Sequence, residues 1–147
     1  MISATRYLLD VNVLIALIDP AHVRHDGAHH WFAAKGKKAW ATCPITENGV
    51  LRIVGNSRYP SSPGSPAAVA DILLVLRGLG SHEFWFDDIS LLDRNAANAT
   101  RLLNSAQVTD SSLLALAKAH GGQLATFDHQ FVADAVVGGS SVLHNIR

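Results

Sequence analysis

Short apolar runs separated by amphipathic stretches recur along the whole 147-residue chain. Four of these runs have the length and composition of buried strands, at residues 6–9, 39–42, 83–86 and 123–127. A fifth run, 141–144, is weak enough to leave the strand count at four or five. Because helical patterns alternate with the strands, we expect an α/β/α sandwich with a central parallel sheet.

Apolar residues at helical spacing fill most of the segments between the strands. Ser90, with Asp93 three residues later, predicts a helix start. Asp110 is expected to begin the last long helix, which a Gly-Gly pair ends. The predicted helices cover 11–18, 22–35, 45–54, 66–78 (or 80), 90–103 and 110–120.

Composition indicates a single compact domain over residues 1–147. Apolar residues make up 48% of the chain, and none of their runs is long enough to cross a membrane. The first ten residues lack the basic and apolar regions of a signal peptide, which predicts a cytoplasmic protein. The formal net charge of zero argues against a protein that coats duplex nucleic acid. It is compatible with an enzyme that contacts a short stretch of nucleic acid.

Four carboxylates stand in apolar surroundings, whereas the other acidic residues fit turns, caps or solvated helix faces. Asp10 ends the first predicted strand, and Asp128 ends the fourth. Glu47 lies in the first turn of the helix after the second strand, and Asp110 lies at the start of the last long helix. Ligands of parallel α/β sheets bind at the carboxyl ends of the strands. All four carboxylates can therefore reach the same edge.

Clustered carboxylates repel one another, and a fold keeps them together mainly when a cation completes the site. Ligands that are all oxygen favour Mg²⁺ or Mn²⁺, and one or two such ions suit phosphodiester hydrolysis. Taken singly, Asp110 can be explained as a helix cap and Glu47 as a first-turn acid favoured by the helix dipole. Periodicity alone does not establish that the four carboxylates converge.

The chain resembles PIN domains, and most of all the VapC-type ribonuclease toxins of bacterial toxin–antitoxin modules. The resemblance rests on four segments in the family's order: LLDVNVLIAL at 8–17, ITENGVLRIVGNSR at 45–58, VTDSSLLALAKAHGGQLATFD at 108–128 and HNIR at 144–147. It implies a magnesium-dependent endoribonuclease on an α/β/α sandwich. The implied direct metal ligands are Asp10 and Asp110, with Glu47 and Asp128 as further ligands or as groups that hold water.

The same resemblance implies substrate contacts and partners. Asn12 matches the family's Asp-x-Asn opening and Thr126 its Thr-x-Asp motif, so each could contact substrate or orient a carboxylate. Arg52, on the helix of Glu47, could bind an RNA phosphate. The implied partners are an RNA substrate and a cognate antitoxin that places a basic side chain in the acidic site. The apolar helix after Pro66 also predicts a homodimer or antitoxin contact, with no membrane contact.

Two other classes of function are the alternatives. A phosphatase of the haloacid-dehalogenase type needs a second Asp at the position of Asn12, which cannot transfer protons. A catalytically inactive PIN-like or receiver-like binding module is the non-enzymatic alternative, although all four acidic positions are retained. Histidines cluster at 22–30, but no nearby cysteine or acidic residue completes a convincing zinc site.

Overall fold

One sheet of five parallel strands forms the centre of the computed structural model, which describes residues 4–147. The strand order is β3-β2-β1-β4-β5, so β1 lies in the middle with β2 and β4 on either side. The predicted parallel α/β fold is confirmed, with five strands. Their bounds are β1 Tyr7–Leu9, β2 Trp40–Thr42, β3 His82–Phe84, β4 Gln123–Thr126 and β5 Leu143–Asn145.

The helices pack on both faces of this sheet, as expected for the predicted sandwich. Leu9 of β1 packs in a core formed with α1 to α4, whereas the preceding Leu8 packs with α5 on the opposite face. This alternation follows from the two-residue period of a strand. The α-helices are α1 Val11–Ile18, α2 His25–Ala34, α3 Pro44–Val54, α4 Pro66–Arg77 and α5 Ala106–Ala119.

The predicted helix at 90–103 is wrong. That stretch consists of turns and a 3₁₀ helix, Ala99–Arg101. The side chains of Ser90, Asp93 and Asn98 each accept a hydrogen bond from the backbone N–H two residues ahead. Such local bonds compete with helical hydrogen bonding, so these polar residues favour turns even where the apolar spacing is helical.

The last long helix starts earlier than predicted, at Ala106, so Asp110 lies inside α5 and does not begin it. Asn104 and Gln107 form the missed start signal. The Gln107 N–H donates to Asn104 Oδ1 at 3.2 Å, and the Asn104 N–H donates to Gln107 Oε1 at 3.1 Å. The first of these bonds satisfies an N–H of the first helical turn that has no intrahelical partner, and the second holds the chain just before the helix.

The N-terminal prediction is only partly covered by the structure. Residues 1–3, which contribute to the expectation that no leader is present, lie outside the described residues. Within residues 4–147, no helix combines the length and apolar character needed to cross a membrane.

Candidate functional site

Two of the predicted carboxylates leave the sheet at the ends of neighbouring strands. Asp10 follows β1 and caps α1, with its Oδ1 accepting from the Val11 N–H at 2.8 Å. Asp128 lies two residues beyond the end of β4, which pairs directly with β1. Asp10 is buried and Asp128 is exposed. Parallel pairing thus brings both acids to one edge of the sheet, as the sequence predicted.

Thr126, at the end of β4, links these two acids. Its hydroxyl donates to Asp10 Oδ2 at 2.8 Å and accepts from the Asp128 N–H at 3.1 Å. Asn12 adds a second connection, because its Nδ2 donates to Thr126 Oγ1 at 3.0 Å and its Oδ1 accepts from the Phe127 N–H at 3.1 Å. Both residues were predicted to bind substrate or orient a carboxylate. In this structure Thr126 donates directly to the Asp10 carboxylate, whereas Asn12 bonds Thr126 and the Phe127 backbone and contacts no carboxylate.

Asp110 approaches the same edge from α5, which packs against β1 and β4. Its carboxyl group forms no hydrogen bond with any group in residues 4–147. Partial burial, followed by the charges of Asp10 and Asp128, raises the pKa of Asp110 to about 6. Burial also raises the pKa of Asp10, and the charge of Asp128 adds to this rise. Asp10, Asp110 and Asp128 therefore form one electrostatically coupled group, named the aspartate cluster below.

Glu47 is directed elsewhere. Its Oε2 accepts from the Thr42 hydroxyl at 2.6 Å and lies 3.4 Å from Arg77 Nε at the end of α4. Thr42 Oγ1 is also 2.7 Å from His82 Nε2. Since the single Thr42 proton is directed to Glu47, His82 must be the donor in that second contact. Burial, together with the charges of Arg77 and Arg6, lowers the pKa of His82 to about 4, so this ring is neutral at pH 7.

A pocket of about 440 Å³ opens beside the aspartate cluster, with one face of α3 as its wall. Asp10 and Asp110 line it, and so does Arg52, as its predicted role in substrate binding requires. Asn48 lines it too, although sequence reasoning did not select this residue. Its position four residues before Arg52 was the available signal, because residues at i and i+4 share a helix face.

The aspartate cluster is compatible with Mg²⁺. Its donors are carboxylate oxygens, which hard divalent cations prefer. Within the described residues, no three His, Cys, Asp or Glu side chains are placed to hold one ion directly. Mg²⁺, however, usually keeps several waters and takes only one or two carboxylates from the protein. Asp10 and Asp110, with Asp128 beside them, meet that requirement, whereas Glu47 is held by Thr42 and Arg77.

Known proteins resemble this chain in both sequence and fold. Residues 7–135 match the family model of the PIN domain. The chain is 45% identical over 133 residues to the ribonuclease VapC44 of Mycobacterium tuberculosis, covering 90% of this chain and 93% of that protein. It is 42% identical over 136 residues to the ribonuclease VapC39 of the same organism, covering 92% and 98%.

A solved toxin–antitoxin complex from Klebsiella pneumoniae contains a chain of the same fold. The match has a TM-score of 0.60 at 20% identity, over 96% of this chain and 98% of that one. This fold match agrees with the family match and with the sequence identities to the two ribonucleases. The chain belongs to the PIN-domain family, among the VapC ribonucleases.

Proposed function

We propose that this protein is a magnesium-dependent endoribonuclease that acts as the toxin of a type II toxin–antitoxin module. The observation that carries the proposal is the convergence of Asp10, Asp110 and Asp128, whose charges no basic residue among those described neutralises. The relatives with 45% and 42% identity, which are named ribonucleases, support the reaction type.

Each residue of the site has a role that follows from its surroundings. A bound Mg²⁺ would polarise the scissile phosphate and lower the pKa of a water beside it. Asp10, fixed by the Val11 N–H and the Thr126 hydroxyl, and Asp110 are the groups that hold the ion. Asp128 adds its negative charge to the site of the ion and orients the attacking water. Arg52 binds a phosphate of the RNA strand at the rim of the pocket.

Glu47 is the fourth carboxylate of the sequence prediction, and it already has partners within the chain. A direct role at the metal requires its carboxylate to leave the Thr42 hydroxyl and the Arg77 guanidinium. Asp10, Asp110 and Asp128 are therefore the proposed set, and the role of Glu47 stays a prediction to be tested by substitution.

We infer that the cognate antitoxin inhibits the enzyme by inserting an arginine into the aspartate cluster. A guanidinium pairs bidentately with carboxylates and takes the place of the metal charge. Replacing that arginine by alanine should restore RNA cleavage in the purified complex. A complex that stays assembled and inhibited after the replacement would contradict this mode of inhibition.

The exposed side of α4 is the proposed homodimer surface. Leu74 and Val75 are 60% and 72% exposed, and Leu79 is 42% exposed just after the helix. Contiguous exposed apolar side chains mark interaction surfaces. Light scattering should give the dimer mass for the wild type and the monomer mass for Val75→Glu.

The test of the activity is RNA cleavage by the purified chain. We expect cleavage of single-stranded RNA with Mg²⁺, cleavage with Mn²⁺, and none with EDTA. RNA binding without cleavage under all three conditions would favour the inactive binding module instead. Cleavage that persists in EDTA would exclude the metal mechanism.

A further inference from the structure

The two faces of α3 carry different chemistry, and only one of them faces the aspartate cluster. Glu47 is turned toward α4, where Arg77 neutralises it. The next residue, Asn48, is about 100° further round the helix, as a period of 3.6 residues requires. It is exposed and lines the pocket that Asp10 and Asp110 also line. Its side-chain amide forms no hydrogen bond with any group in residues 4–147.

The rest of this pocket is a mainly apolar floor. Val11, Ile45 and Ile53 contribute to it, and Gly49 lets α3 approach α1 closely. A Cβ at Gly49 would lie 2.9 Å from Val11 Cγ2, a separation that real Cβ atoms essentially never show. The pocket therefore combines an apolar surface, which suits the face of an aromatic ring, with two carboxylates on one side and an amide and a guanidinium at the rim.

A nucleotide joined to the scissile phosphate is complementary to this pocket, because it combines an aromatic face, a polar base edge and a phosphate. With its phosphate at the aspartate cluster, its base would lie against the apolar floor and present its edge to α3. The Asn48 amide offers one acceptor and two donors, the combination that reads a base edge by paired hydrogen bonds. Arg52, one helical turn away, has donors only and suits a phosphate.

We propose that Asn48 is a specificity-determining residue that reads the edge of the base next to the scissile phosphate. This inference rests on the proposed function, since it takes the substrate to be RNA. It does not make Asn48 part of the reaction. The residue selects which base enters the pocket, while the aspartate cluster carries out the hydrolysis.

Nucleotide binding tests the inference without requiring cleavage. The four nucleoside 5′-monophosphates are titrated into ¹⁵N-labelled protein with Mg²⁺, and the Asn48 side-chain amide resonance is followed. The affinities of the wild type should differ by about tenfold between the best and the worst base, as expected for a paired amide–base contact. Asn48→Ala should bring the four affinities within about twofold of each other, which is the spread expected once that contact is lost.

Asn95→Ala is the matched control, because Asn95 is an exposed asparagine in the 90–103 stretch, outside the pocket. It should keep the wild-type spread. Equal or undetectable binding of all four nucleotides by the wild type would overturn the proposal. So would an unchanged spread in Asn48→Ala, or an equal loss of affinity for every base.

Cleavage mapping separates this inference from the proposed function. On a randomised RNA, Asn48→Ala should lose the base preference at one position beside the cut and still cleave. If the wild type binds nucleotides selectively, Asn48→Ala removes that selectivity and no RNA is cleaved, the proposed function fails, and base recognition by Asn48 stands without a scissile phosphate beside it. If the wild type cleaves and the mutant keeps the same preference, the base-reading role fails and the proposed function stands.

Discussion

Glu47 and the aspartate cluster are two acidic regions of the fold, and they differ in whether residues of the chain balance their charge. Glu47 has a guanidinium 3.4 Å away and a hydroxyl donor at 2.6 Å, so its charge is balanced from within the chain. Asp110 has no such partner in residues 4–147, and its pKa is raised to about 6. The sequence shows four acids in similar apolar surroundings. In the fold, one of them is paired with a basic residue, and the other three act electrostatically on one another.

The difference divides the four carboxylates into one that the chain neutralises and three that it does not. A buried or half-buried charge without a partner lowers the stability of the protein that carries it. Such a cost is expected where activity needs groups that the fold does not neutralise. We therefore expect the aspartate cluster to bind a cation from outside the chain, whereas the charge of Glu47 is already paired with Arg77.

The largest effect is expected from removing one charge of the aspartate cluster. Asp110→Asn keeps the size of the side chain but removes one of the carboxylates that are proposed to hold the metal. The rate of Mg²⁺-dependent RNA cleavage, measured as kcat/KM, should fall at least about a hundredfold, since loss of even an indirect metal contact costs tenfold to a hundredfold. Asp71→Asn on α4 is the control, because Asp71 is an exposed acid and the change should leave the rate unaltered. Wild-type activity in folded Asp110→Asn would remove Asp110 from the site.

The second prediction concerns stabilisation by the metal. An ion that binds only the folded state adds about 2.7 kcal/mol at a hundredfold excess over its Kd. Thermal melts with EDTA and with Mg²⁺ should show this gain for the wild type and a much smaller one for Asp128→Asn. In EDTA, Asp128→Asn should be as stable as the wild type or more stable, because one repulsive charge is gone. Equal Mg²⁺ shifts in both proteins would place the ion elsewhere.

The sequence predicted the positions of the four acids only in part, and it did not predict this contrast, because all four were expected at one metal site. Asp10 and Asp128 were expected at one edge because each directly follows an apolar run of the sequence, and parallel neighbours end at the same edge. The direction of Glu47 was not available, since one residue along a helix turns the side chain by about 100° and the partner, Arg77, comes from a distant segment. The turns at 90–103 were missed because apolar spacing was given more weight than three polar residues that bind their own backbone.

The third prediction is a pH dependence that the raised pKa of Asp110 causes. The pKa is about 6 in the folded protein against the ordinary aspartate value of 3.8, so the folded state binds this proton more tightly than the unfolded state. The contribution to stability is therefore present at low pH and is lost as the pH rises from about 4 through 6. In EDTA, the wild type should lose stability relative to Asp110→Asn across this window, by at most about 3 kcal/mol. A constant difference between the two proteins from pH 4 to 7 would contradict the shift.

The smallest effect is expected at Glu47, and its sign distinguishes the two regions most directly. Glu47→Gln can still accept from the Thr42 hydroxyl but removes the charge that faces Arg77. Both side chains are partly exposed, at 18% for Glu47 and 35% for Arg77. The pair should therefore stabilise the protein by no more than about 1 kcal/mol, and the mutant should melt slightly lower than the wild type in EDTA. Neutralising a member of the aspartate cluster is expected to do the reverse. A double-mutant cycle with Arg77→Gln measures the coupling, which should account for most of the loss.

The same melts with Mg²⁺ decide the predicted role of Glu47 at the metal. If the carboxylate stays with Thr42 and Arg77, Glu47→Gln keeps the wild-type Mg²⁺ shift. A shift reduced to the level of Asp128→Asn would show that Glu47 leaves Arg77 and joins the cluster when the ion binds.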